Sequence, residues 1–285
     1  MILSKVKIIG LILILFIAGC REKDELTRPV KLQFDIKLSL GFKIGVSLDS
    51  SLNAEYLQFT GCRIGLGEIL FIGKREEGGN YYFQTDPSLD FPKPTTFWHL
   101  QSTTISFFDL PQGIYTDMTW IMQLWAIPNE DLLDLDEGLT VEDLIAAGVV
   151  EDCGEGWWNG PAMAISGTYK SMDGRIIPFL LAGDFILPSG AINQKLTVSS
   201  FDQEGNTRIV LSADKKYEST MIFTLGCDSC SLDHELFEEA KISGNREHPI
   251  IIISSSNNKD LYENLTTEND LSLKVIIEEK ESASK

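Results

Sequence analysis

Across residues 30–48 the even positions are apolar without exception: Val30, Leu32, Phe34, Ile36, Leu38, Leu40, Phe42, Ile44, Val46 and Leu48. The odd positions between them are polar, charged or glycine. A period of two marks a strand with one buried face. As a single strand the segment would reach about 63 Å, too long for a compact domain. A turn near Gly41 or Gly45 is therefore expected, giving two strands that share one core face.

Further strand patterns follow at short intervals. Runs 55–60 and 62–72 come first, and residues 74–80, rich in charge and glycine, read as a hairpin loop before a strand at 81–84. Runs 95–101 and 104–110 precede the turn Pro111-Gln112-Gly113. A long strand over 114–127 then presents Ile114, Met118, Trp120, Met122 and Leu124 to one side. In Trp98-His99 the tryptophan is expected in the core and the histidine at the surface. Residues 128–160 break the pattern. Thr140-Val-Glu-Asp143 ahead of Leu144-Ile-Ala-Ala has the form of a capped short helix inside an acidic insertion. The β pattern resumes at 162–170, 176–181, 192–201, 207–211 and 217–225. Residues 232–241 read as helix, 249–254 as a buried strand with four isoleucines, 260–264 as a helical turn and 271–277 as a last strand. Many short strands bounded by Gly and Pro turns predict a mostly β fold, an antiparallel sandwich of Ig or transthyretin type. It carries a short helical insertion and one or two short C-terminal helices. No fixed-period repeat is present.

The N-terminus has a different pattern. Lys5 and Lys7 precede an apolar run at 8–17, broken only by Gly10, and Ala18-Gly19-Cys20 closes it. Charge, a short apolar core and a small-residue site make a secretory signal, too short for a comfortable membrane span. The segment resembles the bacterial lipoprotein signal with its lipobox, which implies cleavage before Cys20 and acylation of that residue. The organisation expected is a signal peptide at 1–19, a polar tether at 20–29, one β-sandwich domain at 30–278 with its acidic insertion at 128–160, and a flexible tail at 279–285. Lys23-Asp24-Glu25 resembles the acidic export signal of surface-displayed Bacteroidota lipoproteins, and a solvated linker explains it as well.

Charge narrows the partners. The 285-residue chain has a formal net charge of −18, and loss of Lys5 and Lys7 leaves 22 basic residues against 42 acidic ones, near −20. Such a surface repels phosphate backbones and argues against nucleic acid. It also argues against polybasic membrane attachment, so a lipid would have to hold the protein at the outer membrane, facing the periplasm or the cell surface. Cys62, Cys153, Cys227 and Cys230 remain as an even set, the pattern of disulfides in an exported protein, with three connectivities open.

Several landmarks recur in a known order: the lipoprotein signal, the alternating first strand, the Pro-x-Gly-x-Tyr turn in Leu110-Pro-Gln-Gly-Ile-Tyr115, Trp157-Trp158, Ser166-Gly-Thr-Tyr169, Glu235-Leu-Phe-Glu and Asn264-Leu265. In outline this resembles the MbnP-type periplasmic copper-binding proteins and related uncharacterised β-sandwich lipoproteins. The resemblance implies a sandwich fold and an envelope location. The family's copper chemistry rests on histidines and a modified tryptophan; the histidines here are His99, His234 and His248, and none is assigned to those positions.

Candidate chemistry is sparse. Cys227-Asp-Ser-Cys230 with His234 has a spacing suited to zinc or copper(I), against the alternative of a disulfide. Asp131, Asp134, Asp136, Glu137, Glu142 and Asp143 could gather around calcium but do not follow an EF-hand, and a solvated acidic face accounts for them. Trp157 and Trp158, in a Gly-rich loop, are candidates to contact a ligand, such as a sugar face, or to plug the sandwich. No nucleophile elbow, zinc-protease motif or phosphate loop occurs. The reading is a non-enzymatic, lipid-anchored binding protein. Copper or zinc binding and surface glycan binding are the alternatives.

Overall fold

A computed structural model describes residues 26–40, 56–86, 94–98, 101–135, 138–152, 158–183, 195–225, 234–268 and 271–280. In chain order the elements are β1 (Pro29–Leu40), β2 (Leu57–Ile64), β3 (Leu66–Arg75), β4 (Tyr81–Gln84), β5 (Thr95–Phe97), β6 (Thr103–Pro111), β7 (Gly113–Leu124), α1 (Asn129–Leu133), α2 (Val141–Ala146), β8 (Glu151–Asp152) and β9 (Trp158–Asn159). There follow β10 (Met163–Lys170), β11 (Ile176–Gly183), β12 (Lys195–Phe201), β13 (Ile209–Leu211), β14 (Tyr217–Leu225), α3 (His234–Glu238), β15 (Ile242–Gly244), β16 (Pro249–Ile253), α4 (Lys259–Glu263) with a π-helical turn at Asn264–Glu268, and β17 (Leu271–Glu279). The protein is mostly β, with a few short helices and two large sheets in a sandwich-like arrangement.

The first sheet runs β4-β3-β7-β12-β17-β14-β1-β6, with β13 also paired to β7. It curls until its two ends meet, close to a barrel. Tyr81 Oη on β4 donates to the Asp109 carbonyl on β6 at 3.1 Å, and the Phe83 and Phe108 rings stack at 4.6 Å. Curling hides the edge strands that an open sheet would expose. The alternation expected in β1 is present: Val30, Leu32, Phe34, Ile36 and Leu38 are all buried. Phe34 and Phe71 pack on Trp120 at 4.6 and 4.7 Å, and the indole N–H of Trp120 donates to Ser200 Oγ at 2.8 Å, which satisfies its one buried polar group. The expected second strand of the 30–48 run, with its turn near Gly41 or Gly45, lies outside the described residues.

The second sheet runs β15-β16-β11-β10-β2-β5. Its inner face, including Phe59, Cys62, Ile165, Phe179 and Ile251, joins the main core. Its outer face is buried as well over part of β10, β11 and β16. Ala164, Leu180, Ala182, Ile250 and Ile252 pack under Ile127, Leu132, Leu139, Leu144 and Val150 of the insertion. The insertion is thus a third layer, and its apolar positions form a roof while Glu130, Asp134 and Glu142 face solvent. The capping box is formed as expected, with Thr140 Oγ1 accepting from the Asp143 N–H at 3.2 Å and the Asp143 carboxylate accepting from the Thr140 N–H at 3.2 Å.

Four expectations are corrected. The sheets are mixed, not wholly antiparallel: β1 with β14, β12 with β17, and β11 with β16 run parallel. Periodicity carries no record of direction, because both pairings alternate their side chains alike. Secondly, residues 55–72 break at Gly65 and not at Gly61. The slip in alternation between Phe59 and Cys62 is an irregularity within β2, where the register against β10 shifts. At Gly65 the chain passes from the second sheet to the first, and a Cβ there would lie 2.1 Å from the Trp125 carbonyl oxygen. Thirdly, Tyr115 rather than Ile114 points inward at the start of β7, because the register against β3 shifts between Lys74 and Arg75. Finally, of the helix expected over 232–241, only His234–Glu238 is helical among the described residues.

The Pro111-Gln112-Gly113 turn is locked by its own tyrosine: Tyr115 Oη donates to the Pro111 carbonyl at 2.7 Å. Burial pushes the Tyr115 phenol up, so it stays protonated as a donor. Arg75 closes the same corner, its Nη2 donating to the Gln112 carbonyl at 3.0 Å and to the Leu26 carbonyl at 2.7 Å. The Gln112 N–H donates to the Arg28 carbonyl at 2.8 Å. The stretch just before β1 is therefore fastened to the body.

Candidate functional site

Two places on the second sheet bring polar or aromatic side chains together. The first is the part of its outer face beyond the roof. Phe97 and Trp98 are consecutive, so alternation sends one in and the other out. Phe97 is fully buried, while Trp98 is 46% exposed. This corrects the expected core position of Trp98. The ring lies over Gly61 on the neighbouring strand, where a Cβ would come within 3.0 Å of Trp98 Cε3 and Cζ3. Glycine here gives the indole a flat bed. Next across the sheet, Thr60 Oγ1 and Ser166 Oγ are 3.1 Å apart. Arg63 stands one outward position further along β2, with Nη1 4.0 Å from Asp131 on α1, and its Nε and Nη1 are buried without a hydrogen-bond partner among the described residues. The result is an aromatic face, a hydroxyl pair and a guanidinium at the margin of the roof.

The second place is the end of the sheet under α3. His234 and Glu238 are four residues apart on that helix and face the same way. Tyr169 Oη donates to Glu238 Oε1 at 2.5 Å and lies 3.4 Å from His234 Nε2. Glu238 Oε1 also accepts from the Met172 N–H at 2.6 Å. The Tyr56 ring meets the imidazole edge-on at 4.5 Å, and the Tyr169 ring stacks on Phe237 at 5.0 Å. The hydrogen bonds from Tyr169 and Met172 hold the Glu238 carboxyl below the usual carboxylate range. Burial and then the Glu238 carboxylate push the Tyr169 phenol up. A tyrosine kept protonated against an ionised carboxylate is a fastening: it ties α3 to β10 and to the turn after it.

No family model, curated protein or solved structure matches this chain.

The sites expected from sequence fall as follows. Cys20, Cys153, Trp157, Cys227, Cys230 and His99 lie outside the described residues, as do Asp136 and Glu137. The backbone of Trp158 belongs to β9, paired with β8. Cys62 is a buried free thiol whose Sγ donates to the Arg63 carbonyl at 3.8 Å, and burial raises it well above the usual thiol range, which disfavours a nucleophilic thiolate. His234 is engaged with two tyrosines, and its Nδ1 is buried without a partner among the described residues. His248 is exposed in the turn between β15 and β16. Among the described residues no three His, Cys, Asp or Glu side chains are grouped to hold a metal ion, and no helix is long and apolar enough to cross a membrane. Sequence reasoning missed Trp98 and Arg63 as surface groups. The adjacent aromatics Phe97-Trp98 were the available signal for the first; nothing local marks the second.

Proposed function

We propose that this chain is a non-enzymatic binding protein held at the bacterial outer membrane by acylation of Cys20. Its body is a sandwich of Ig or transthyretin type, modified by parallel pairings and by a roofed second sheet. The lipobox order of charge, apolar run and Ala-Gly-Cys supports the anchoring. The single observation that carries the binding role is Trp98: a half-exposed indole bedded on Gly61, flanked by the Thr60–Ser166 hydroxyl pair, on a stretch of outer face that the insertion leaves open. A flat apolar ring beside hydroxyls suits the face of a sugar, and large aromatics with little conformational freedom are the residues that anchor contacts. The surface-glycan reading is therefore favoured over copper or zinc. The metal reading would need His234 to leave Tyr56 and Tyr169.

The test is a glycan array probed with the full chain and with the Trp98→Ala and Trp158→Ala variants. Binding that Trp98→Ala abolishes supports the reading and places the contact on the second sheet. Binding lost only in Trp158→Ala moves it to the insertion. A silent array, with an alkyne fatty acid that fails to label Cys20, overturns both the ligand class and the anchor.

A further inference from the structure

The first sheet has two ends, and the chain reaches only one of them from the N-terminus. Pro29 pairs with Pro111, Leu211 with Gly113, Arg75 with Tyr115, and Tyr217 with Glu279. The Pro29 end therefore collects the turns at 76–80, 111–113, 202–206 and 212–216. The opposite end, at Leu124 and Trp125, lies a full strand away, about 36 Å along the twelve residues of β7.

We propose that the Pro29 end docks on phospholipid headgroups, so that the Trp125 end and the candidate binding face are presented away from the bilayer. The proposal rests on acylation of Cys20. Arg75 is its pivot. By holding the Leu26 carbonyl, and with Gln112 holding that of Arg28, the body takes up the tether as far as Leu26. Cys20 and Leu26 are six residues apart, and a fully extended chain of that length reaches about 21 Å at most. Any lipid on Cys20 thus keeps Leu26 within about 21 Å of the membrane surface, whatever course the intervening residues take.

The chain as a whole is strongly acidic, which opposes close approach to anionic headgroups. At the Pro29 end part of the acidity is offset: Arg208 Nε lies 2.9 Å from Glu76, Lys215 Nζ 2.7 Å from Glu279, and Lys280 Nζ 2.6 Å from Glu218, while Glu77, Glu204 and Asp214 are exposed there without a salt bridge among the described residues. Asp202 is occupied within its own turn by Asn206 and the Glu204 N–H. Arg28 and Lys216 are exposed beside them. The pairs reduce the repulsion at this end, and Arg28 and Lys216 offer cations to headgroup phosphates.

The experiment is hydrogen exchange on the full lipidated chain in vesicles of phosphatidylethanolamine with phosphatidylglycerol, beside the soluble Cys20→Ser chain, with co-flotation measured in parallel. Exchange in turns 202–206 and 212–216 is expected to slow several-fold on vesicles, while the backbone at 125–127 is unchanged. A spacer of Gly and Ser inserted after Lys23 lengthens the tether ahead of Leu26. It is expected to float as before and to lose the protection. A chain that floats with those turns unprotected, or whose spacer variant keeps full protection, overturns the docking. A chain that does not float overturns the anchoring, and the docking with it.

Discussion

The two sheets solve burial differently. Each strand of the first sheet gives one face to the core, and the curl closes its edges on each other, as Tyr81 and Phe83 meet Asp109 and Phe108. The second sheet is covered on both faces over β10, β11 and β16, by the main core below and the insertion above. The consequence is legible in composition. β1 alternates, whereas β11 and β16 read as unbroken apolar runs, as sheets buried on both sides do. Function follows the same division. Where the roof stops, the second sheet shows Trp98; the first sheet is fastened at its Pro29 end by Arg75 and Tyr115.

The largest expected effect separates the two outer faces. Ile252→Ala, beneath the roof, should cost about 2–5 kcal/mol in urea unfolding, as a core truncation does. Val210→Ala, on the outer side of the first sheet and 52% exposed, should change stability by about 0.5 kcal/mol or less. Equal costs would mean that the insertion does not cover the second sheet. Gly65→Ala strikes the corner between the sheets. The new methyl would meet the Trp125 backbone, which cannot move aside as a side chain does, so a loss at the upper end of about 1–3 kcal/mol is expected from the thermal midpoint. An unchanged midpoint would show that the two sheets are not joined there.

Smaller effects probe the fastenings. Tyr115→Phe removes one hydrogen bond to Pro111 and should cost about 0.5–1.5 kcal/mol at pH 7, with little change in the denaturant slope. At the second sheet, Glu238 gives a pH signature. Its carboxyl is held below its ordinary value when folded, so its stabilising contribution is present above the unfolded pKa, about 4.3, and vanishes as pH falls through the lower folded value. Glu238→Gln should therefore lower the urea midpoint at neutral pH by a small amount, and the gap from the parent chain should close in acid. A gap that widens in acid would contradict the ionised Glu238–Tyr169 contact.

Local pattern carried much of this. The inward face of β1, the hairpin between β3 and β4, the Thr140 cap and most strand positions follow from alternation and turn chemistry over a few residues. The candidate site was less legible. Trp98 looked like a core residue because tryptophan usually is, yet the Phe97 beside it already occupies the inward position. Arg63 and Arg75 are ordinary arginines in sequence, and their contacts lie 68 and 49 residues away, at Asp131 and Leu26.

What the chain's own order of residues determined is every feature that repeats at short range: strand character, the capped helix, the Pro-Gln-Gly turn and the strongly acidic surface. Only tertiary structure decided which strands run parallel, that Gly65 is the crossing between sheets, that the acidic insertion is a roof, and that Trp98 meets solvent. The reason is physical. A side chain's alternation depends on its own backbone, whereas strand direction, edge closure and exposure depend on what packs against it from far along the chain.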